Sequence, residues 1–195
     1  KITHTNFGMD LNLNKNNGLF YVGEFHLKNI IPEKPGTYKV GMFHHSGVFN
    51  SLNDPTSKQK GSSGLYFIAD QFVFNESANN NQGLGTMFQM GYSPAESSIN
   101  DFYMAYGLNY TGLFPERDSD VLGLAVAHAS MNNTLLKANP EKYESCETAI
   151  EFTYKYKAFK SLTIQPNIQY IIHPGMQSNY NNAFVGMFRV QWNYN

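Results

Sequence analysis

Hydrophobic and polar residues alternate along most of the chain, and clusters of Gly, Asn, Asp, Ser or Pro separate the alternating runs. Strict alternation places apolar side chains on one face of an extended strand and polar side chains on the other, and the intervening clusters are typical of turns. The pattern therefore predicts consecutive antiparallel strands joined by hairpins, about ten in all. The predicted strands are 2–12, 18–29, 36–48, 64–75, 83–93, 101–111, 120–130, 147–157, 161–172 and 183–194.

The clearest alternation lies in the last quarter of the chain. The segment ETAIEFTYKYK places Phe152 and Glu151 on opposite faces, and AFVGMFRVQW does the same with Phe188 and Arg189. Pro166 lies inside the strand between them, and because proline has no amide hydrogen, we expect the strand pairing to be irregular there. The pattern indicates a sheet with one apolar and one polar face.

The composition agrees with a sheet protein and excludes several classes of site. Aromatic residues make up 15% of the chain, with 13 Tyr and 15 Phe, and such residues favour strands. The only helix candidate, 139–149, merges into a predicted strand. A net charge of -1 gives no electrostatic reason to expect a nucleic-acid partner. The single Cys146 excludes an intramolecular disulfide and a thiolate metal cluster.

The orientation of the two faces decides the class of protein. A soluble, lipocalin-like barrel would bury the apolar face, whereas a transmembrane barrel would turn it to lipid and enclose a water-filled lumen with the polar face. Aromatic residues near strand ends favour the membrane alternative, because transmembrane barrels carry aromatic girdles at both interfaces. The predicted connections also mostly alternate in length, as in outer-membrane barrels: 50–63, 132–146 and 173–182 are long, 77–82, 113–119 and 158–160 are shorter, and 94–100 does not fit. The girdle candidates are Tyr92, Tyr154, Tyr156, Trp192 and Tyr194.

Five segments carry a family resemblance. They are GTYKVGMFHHSGVF (36–49), GLYFIADQFVF (64–74), GLGTMFQMGYSP (83–94), YGLNYTGLFPERDSDVLGLAVAHA (106–129) and LTIQPNIQYIIHPG (162–175). In this order and spacing they resemble the carbohydrate-selective porin family, the OprB type. The resemblance covers about residues 18–194 and corresponds to the C-terminal half of the family, whose members are longer.

The resemblance implies an all-β fold, an antiparallel up-and-down transmembrane β-barrel to which this chain would supply about ten of roughly sixteen strands. The chain, 1–195, would form one outer-membrane barrel domain, the C-terminal portion of a longer porin in a Gram-negative bacterium. Its function would be passive diffusion of carbohydrates, such as glucose, and of other small solutes. Its partners would be these sugars, outer-membrane lipid and lipopolysaccharide, with no nucleic acid and no cofactor, and a homo-oligomer stays an open alternative.

Under this interpretation the polar face lines the lumen. Amide and charged groups suit a sugar pore, because they can bind hydroxyls and still release them. Arg189 offers a forked donor that would fit paired hydroxyls or, equally well, a neighbouring carboxylate. The predicted pore-lining residues are Arg189, Gln191, Gln165, Asn167, Gln169, Glu151 and Lys155.

Other functions are weighed against this one. A general, non-selective porin and a soluble lipocalin-like sugar-binding barrel both remain alternatives. An enzyme is not expected, because the chain has no G-x-S-x-G segment and nothing marks a nucleophile, a base and an acid that meet. No metal site is predicted: His44 and His45 are adjacent and so point to opposite faces of a strand. The segment 118–120 lacks the spaced ligands of a calcium loop and is interpreted as a turn.

Overall fold

The computed structural model describes residues 18–52, 54, 56–76, 82–93 and 97–194. These residues form one antiparallel sheet of nine strands in which each strand pairs with the next one in the sequence. This is the up-and-down order that the hairpin pattern predicts. The strands are β1 (Phe20–Lys28), β2 (Gly36–Asn50), β3 (Lys58–Asn75), β4 (Gly83–Tyr92), β5 (Asn100–Thr111), β6 (Val121–Met131), β7 (Cys146–Lys157), β8 (Leu162–Ile172) and β9 (Ala183–Trp192).

The strand limits agree with the sequence pattern to within two residues, except at the start of β3. Every predicted strand from residue 18 onward is confirmed, and the predicted strand 2–12 lies outside the described residues. β3 begins at Lys58 rather than at residue 64, because the polar segment KQKGSS pairs with β2 although it has no apolar alternation. The connection predicted at 50–63 is therefore shorter, 51–57.

One short α-helix, α1 (Asn133–Ala138), lies between β6 and β7. The Asn132 side chain caps it by accepting a hydrogen bond of 2.9 Å from the amide of Thr134. The predicted helix candidate 139–149 is not helical, since its residues form turns and the start of β7. No helix in the described part of the chain is long and apolar enough to cross a membrane. A short 3-10 helix, Pro174–Met176, follows β8.

One face of the sheet is apolar across all nine strands, and we call it the apolar face. Directly opposed residues share a face, so the strand register lets one row of side chains be followed from β1 to β9. Neighbouring members of this face, Leu124, Phe152 and Ile168, are 48%, 45% and 44% exposed, so no other described part of the chain covers them. The row consists of Leu27, Tyr38, Ala69, Phe88, Tyr106, Val126, Ile150, Tyr170 and Phe184.

The opposite side, which we call the polar face, differs along the sheet. Most of its charged and amide side chains lie on β1–β3 and on β7–β9, whereas the central strands carry Gln89 and Asn109 among small residues such as Ala105, Gly107 and Ala125. Small side chains leave open space above the centre of this face. The titratable members of this face include Glu24, His26, Lys28, Lys39, His45, Asp70, Glu147, Glu151, Lys155, Lys157 and Arg189.

The two ends of the sheet differ in their connections. One end, which we call the short-turn end, carries the connections β1–β2, β3–β4, β5–β6 and β7–β8, and the other, the long-loop end, carries β2–β3, β4–β5, β6–β7 and β8–β9. The predicted alternation of long and short connections holds only from β5 onward, where 132–145 and 173–182 are longer than 112–120 and 158–161, because the four connections between β1 and β5 are equal in length. Several tyrosine rings of the apolar face reach these ends and bind polar groups there. Tyr154 donates to Asp120 at 2.6 Å, and Tyr110 donates to Glu76 at 2.7 Å. Amphipathic rings of this kind suit a boundary between lipid and water, which supports the predicted girdles.

A small buried cluster joins the connections at the long-loop end. It consists of Met131, Leu135 and Met176, and Leu52 and Ala129 pack against it. Leu52 belongs to the connection between β2 and β3, which lies several strands away from β6 in the sheet. Because Ala129 belongs to the polar face, the loops converge on that side. The polar face is therefore the side that the long loops partly cover.

The strand irregularity expected at Pro166 is confirmed. β8 pairs with β7 at Thr163 and Ile164 and again from Asn167 to Ile172. Pro166 lies in the gap between these two stretches and so interrupts this ladder. Pairing of β8 with β9 continues without a break, with Pro166 opposite Phe188. The missing amide hydrogen therefore affects one side of the strand only.

Candidate functional site

All seven predicted pore-lining residues lie on the polar face. Gln165 is opposite Arg189, Gln169 is opposite Glu151, and Gln191 is opposite Thr163. Asn167 and Lys155 share this face because they lie at alternate positions on the same strands. The alternation in the last quarter of the chain thus predicted the face of each residue correctly.

Three hydrogen bonds involve members of this group, and one of them joins two members. Gln169 Nε2 donates to Glu151 Oε2 at 2.5 Å, and Gln165 Nε2 donates to Thr153 Oγ1 at 3.0 Å. Gln191 instead donates to Asn193 at 3.2 Å. The bonds leave further donors and acceptors on these amides and carboxylates, since each such group has several. This wall can therefore offer hydroxyl-binding groups to a solute.

Arg189 lies on the edge strand β9 and is exposed. The concavity beside it, about 570 Å³, is lined by residues of both faces, including Phe188 from the apolar face and Asn167 from the polar face. It therefore surrounds the edge of the strand and is no enclosed site. The Asn167 Oδ1 atom is buried beside it without a hydrogen-bond partner among the described residues.

A second polar group, on β1–β3, was not predicted from the sequence. Glu24, Gly41 and Tyr66 form one row across three strands. The Tyr66 side chain passes over Gly41, and its hydroxyl donates a hydrogen bond of 2.6 Å to Glu24 Oε2. His26 also hydrogen bonds to Glu24, and Lys39 Nζ lies 4.0 Å from the same carboxylate. This group places a carboxylate, an imidazole, an ammonium and a phenol within reach of one another.

One sequence signal could have indicated this second group. Gly41 lies in the middle of a long strand, where a glycine often marks a close approach of another group. A Cβ atom built on Gly41 would lie 2.1 Å from Cζ of Tyr66, so only glycine leaves room for the ring. The register that brings Tyr66 opposite Gly41 could not be derived from either segment alone.

Comparison with known proteins identifies the family. A family model described as carbohydrate-selective porin, OprB family, matches residues 2–194. The chain belongs to this family. Among curated proteins it is similar to Porin B of Pseudomonas aeruginosa, with 24% identity over 185 residues, 80% of this chain and 41% of that protein. It is also similar to the putative porin QuiX of Acinetobacter baylyi, with 21% identity over 178 residues, 82% of this chain and 40% of that protein.

Solved OprB structures give the same fold. The high-pH structure of Pseudomonas putida OprB matches with a TM-score of 0.84 and 22% identity, over 93% of this chain and 50% of that one. The low-pH structure matches with a TM-score of 0.63 and 21% identity, over 91% and 47%. The OprB-family chain described here thus spans about two fifths of its curated relatives and half of the solved chain.

Membership of the OprB family decides between the alternatives for the two faces. A porin turns its apolar face to lipid, and the soluble lipocalin-like alternative would need that face packed inside. In the described residues Phe188 is 67% exposed, and no large side chain is completely buried. The family and the exposure of the apolar face therefore both contradict the soluble alternative.

The short-turn end of this OprB-family sheet carries a buried ion pair. Asp120 accepts hydrogen bonds from Arg117 Nε at 2.7 Å and Nη2 at 2.8 Å, and from the Lys157 amide at 2.9 Å. The Arg117 guanidinium also lies 4.1 Å from the ring centroid of Tyr156. Burial raises the pKa of the Asp120 carboxyl, but the bonds from Arg117, Tyr154 and the Lys157 amide outweigh it, and the pKa lies below its ordinary value.

The histidines and acidic groups of the described residues supply the side chains that could ligate a metal ion. Among the described residues no group of three or more His, Cys, Asp or Glu side chains could hold an ion. His44 and His45 lie on opposite faces, since His44 is opposite Tyr21 and His45 is opposite Phe20. The segment 118–120 forms a turn whose Asp120 binds Arg117, as the interpretation of this segment as a turn predicts.

Proposed function

We propose that the protein is an outer-membrane porin through which carbohydrates, monosaccharides such as glucose among them, diffuse passively. The observation that supports this most is the division of the sheet into an exposed apolar face and a polar face on which the long loops converge. Such a sheet separates lipid from water when it forms part of a barrel wall. The names of its relatives, Porin B and the putative porin QuiX, agree with a pore.

In this proposal the polar face of β7–β9 forms part of the lumen wall. Its amides and charges bind sugar hydroxyls weakly and in succession, which permits entry and release. No covalent step and no cofactor is needed, and no enzymatic role is proposed. The proposed pore-lining residues are Arg189, Gln191, Gln165, Asn167, Gln169, Glu151 and Lys155.

The proposal also includes the surroundings of the barrel. The domain comprises residues 1–195 as part of an outer-membrane barrel in a Gram-negative bacterium, with its apolar face against lipid and lipopolysaccharide. The aromatic residues at both strand ends support this placement, because amphipathic rings prefer membrane interfaces. Whether barrels associate is a separate question that cross-linking in native membranes would answer.

Conductance of single channels in planar bilayers tests the proposed function. The protein, produced from its complete reading frame, should conduct salt, and added glucose should reduce the current in a saturable manner. An equal osmolarity of additional salt should not reduce it. Liposome swelling then separates a selective pore from a general one, because rates that depend on solute size alone would favour the general porin. A protein that forms no channel in either assay would refute the proposal.

A further inference from the structure

Aromatic rings occur on the polar face of β1–β3, where contact with lipid cannot explain them. Phe20 and Phe43 have ring centroids 6.0 Å apart, and Phe20 is 60% exposed. Tyr66 lies on the same face, two positions from the glycine opposite Phe43. Exposed apolar surface on a wetted face usually marks a binding surface. We call Phe20, Phe43 and Tyr66 the aromatic strip.

Two rings of the strip lie over glycines of the neighbouring strand. Phe43 is opposite Gly64, and a Cβ atom on that glycine would lie 2.4 Å from Cζ of Phe43. The Tyr66 ring extends from β3 over Gly41 of β2, and a Cβ atom on Gly41 would lie 2.1 Å from Cζ of Tyr66. Each ring therefore rests on backbone where a side chain would otherwise project. The ring surface away from the backbone remains available to a solute, since both side chains are partly exposed.

Polar groups lie directly beside these rings. Glu24 accepts the Tyr66 hydroxyl hydrogen bond at 2.6 Å, and Lys39 Nζ lies 4.0 Å from its carboxylate. A carboxylate has about four acceptor positions, and an ammonium has three donors, so both retain capacity for further hydrogen bonds. His26 adds a ring nitrogen at the same place. The group therefore combines a flat apolar surface with a rim of donors and acceptors.

We propose that Phe43 and Tyr66 form a stacking platform for one pyranose ring, with Glu24 and Lys39 as partners for its hydroxyls. This inference rests on the proposed function and names a solute-binding position within it. A pyranose has an apolar C–H surface and a rim of hydroxyls, which matches a site of aromatic surface with a few polar groups. The opposite charges of Glu24 and Lys39 offset each other, which suits an uncharged ligand.

Glucose block of single-channel current in planar bilayers tests this site. Phe43→Leu and Tyr66→Leu each remove an aromatic surface and keep an apolar side chain. Each should raise the half-blocking glucose concentration about fivefold, as the loss of one aromatic contact predicts. Salt conductance at zero glucose should stay near the wild-type value, which shows that the variant channel is intact. Tyr66→Phe retains the ring and should have the smaller effect.

Tyr103→Leu is the matched control. Tyr103 lies on the polar face opposite Gly91, but its ring does not rest on that glycine. A Cβ atom on Gly91 would have the Leu65 carbonyl oxygen, at 3.9 Å, as its nearest neighbour, and no atom of Tyr103 lies closer. It should leave glucose block unchanged. If the Phe43 and Tyr66 variants are blocked like the wild type, the inference is wrong and the proposed function stands. If wild-type channels conduct but glucose does not block them, both are wrong.

Chemical modification provides a second test that also detects a different occupant. Phe43→Cys places a single thiol at the platform in a background where Cys146, the one cysteine of residues 1–195, is replaced by Ser and any cysteine elsewhere in the reading frame is replaced likewise. A water-soluble maleimide should modify this thiol in reconstituted protein, and glucose should slow the reaction. No reaction would indicate that another segment of the protein covers the strip, and a reaction that glucose does not slow would also contradict the inference.

Discussion

Asp120 shows how one residue ties a turn to the sheet. Its carboxylate is almost completely buried, with 3% exposure, and receives hydrogen bonds from Arg117 in the turn and from Tyr154 and the Lys157 amide of β7. A buried carboxylate is tolerated only when it is paired and hydrogen bonded. The sequence indicated a turn at 118–120, but it could not indicate these partners, because Tyr154 and Lys157 lie more than thirty positions away.

Replacement of Asp120 should weaken the fold measurably. Asp120→Asn removes the charge that Arg117 and Tyr154 bind, so we expect the free energy of unfolding to fall by about 1–3 kcal/mol. Urea unfolding in lipid vesicles, followed by tryptophan fluorescence, measures this change. Asp118→Asn, at an exposed position of the same turn, is the control and should be close to neutral. Equal effects of the two substitutions would contradict the structural role of Asp120.

The same residue should make stability depend on acid pH. Because the folded pKa of Asp120 lies below the unfolded value of about 3.9, its stabilisation is fully present above that value. The stabilisation is lost as the pH falls through the lower, folded pKa. The difference in unfolding free energy between wild type and Asp120→Asn should therefore shrink below about pH 4. A difference that stays constant down to pH 2 would show that the carboxylate charge is unimportant.

At the scale of the strand, the alternation along the sequence determined which side each residue occupies. Leu124 and Ala125 illustrate this on β6, where they are neighbours in the chain and lie on opposite faces. The limits of the elements were less predictable. KQKGSS joins β3 through backbone pairing with β2 and a side-chain hydrogen bond between Ser63 and His44, and α1 has too few residues to display a helical period. Contacts such as Glu24 with Tyr66 need the register of three strands, which local pattern does not contain.

A pair of arginine substitutions on β6 tests the assignment of the two faces. Leu124→Arg places a charge on the apolar face and should destabilise the protein in lipid by about 2–4 kcal/mol. Ala125→Arg places the same charge on the polar face, where water is available, and should cost much less. Unfolding in phospholipid vesicles compares the two variants. The reverse order, with Ala125→Arg the more harmful, would show that the faces are assigned the wrong way round.

At the scale of the whole molecule, aromatic side chains place the sheet relative to the membrane. Trp192 is the chain's one tryptophan, lies on the apolar face at the short-turn end and is 68% exposed. Family membership was recognisable from five segments, because their order and spacing along the chain match those of the family. The sequence indicated only one of the two polar groups. The group on β7–β9 follows from the alternation of polar and apolar residues, whereas the group on β1–β3 depends on Tyr66 lying over Gly41.

Fluorescence of Trp192 tests this placement directly. In vesicles of brominated phospholipid, bromines close to the headgroup should quench its emission more than bromines deep in the acyl chains, because the side chain lies near a strand end. The control moves the fluorophore to mid-strand by Phe152→Trp in a Trp192→Phe background, and deep bromines should quench that variant more. Stronger quenching of Trp192 by aqueous acrylamide than by either lipid would place this end of the apolar face in water and contradict the proposal.

The number of strands in the sheet restricts how the barrel can be completed. Successive neighbours are antiparallel and the described residues form nine strands, so β1 and β9 run in the same direction. Direct pairing of these two edges would create a parallel seam, whereas a ring of alternating strands requires an even total. If the proposed barrel closes with all neighbouring strands antiparallel, an odd number of strands beyond the nine described must lie between β9 and β1, and the chain enters and leaves the described sheet at opposite ends.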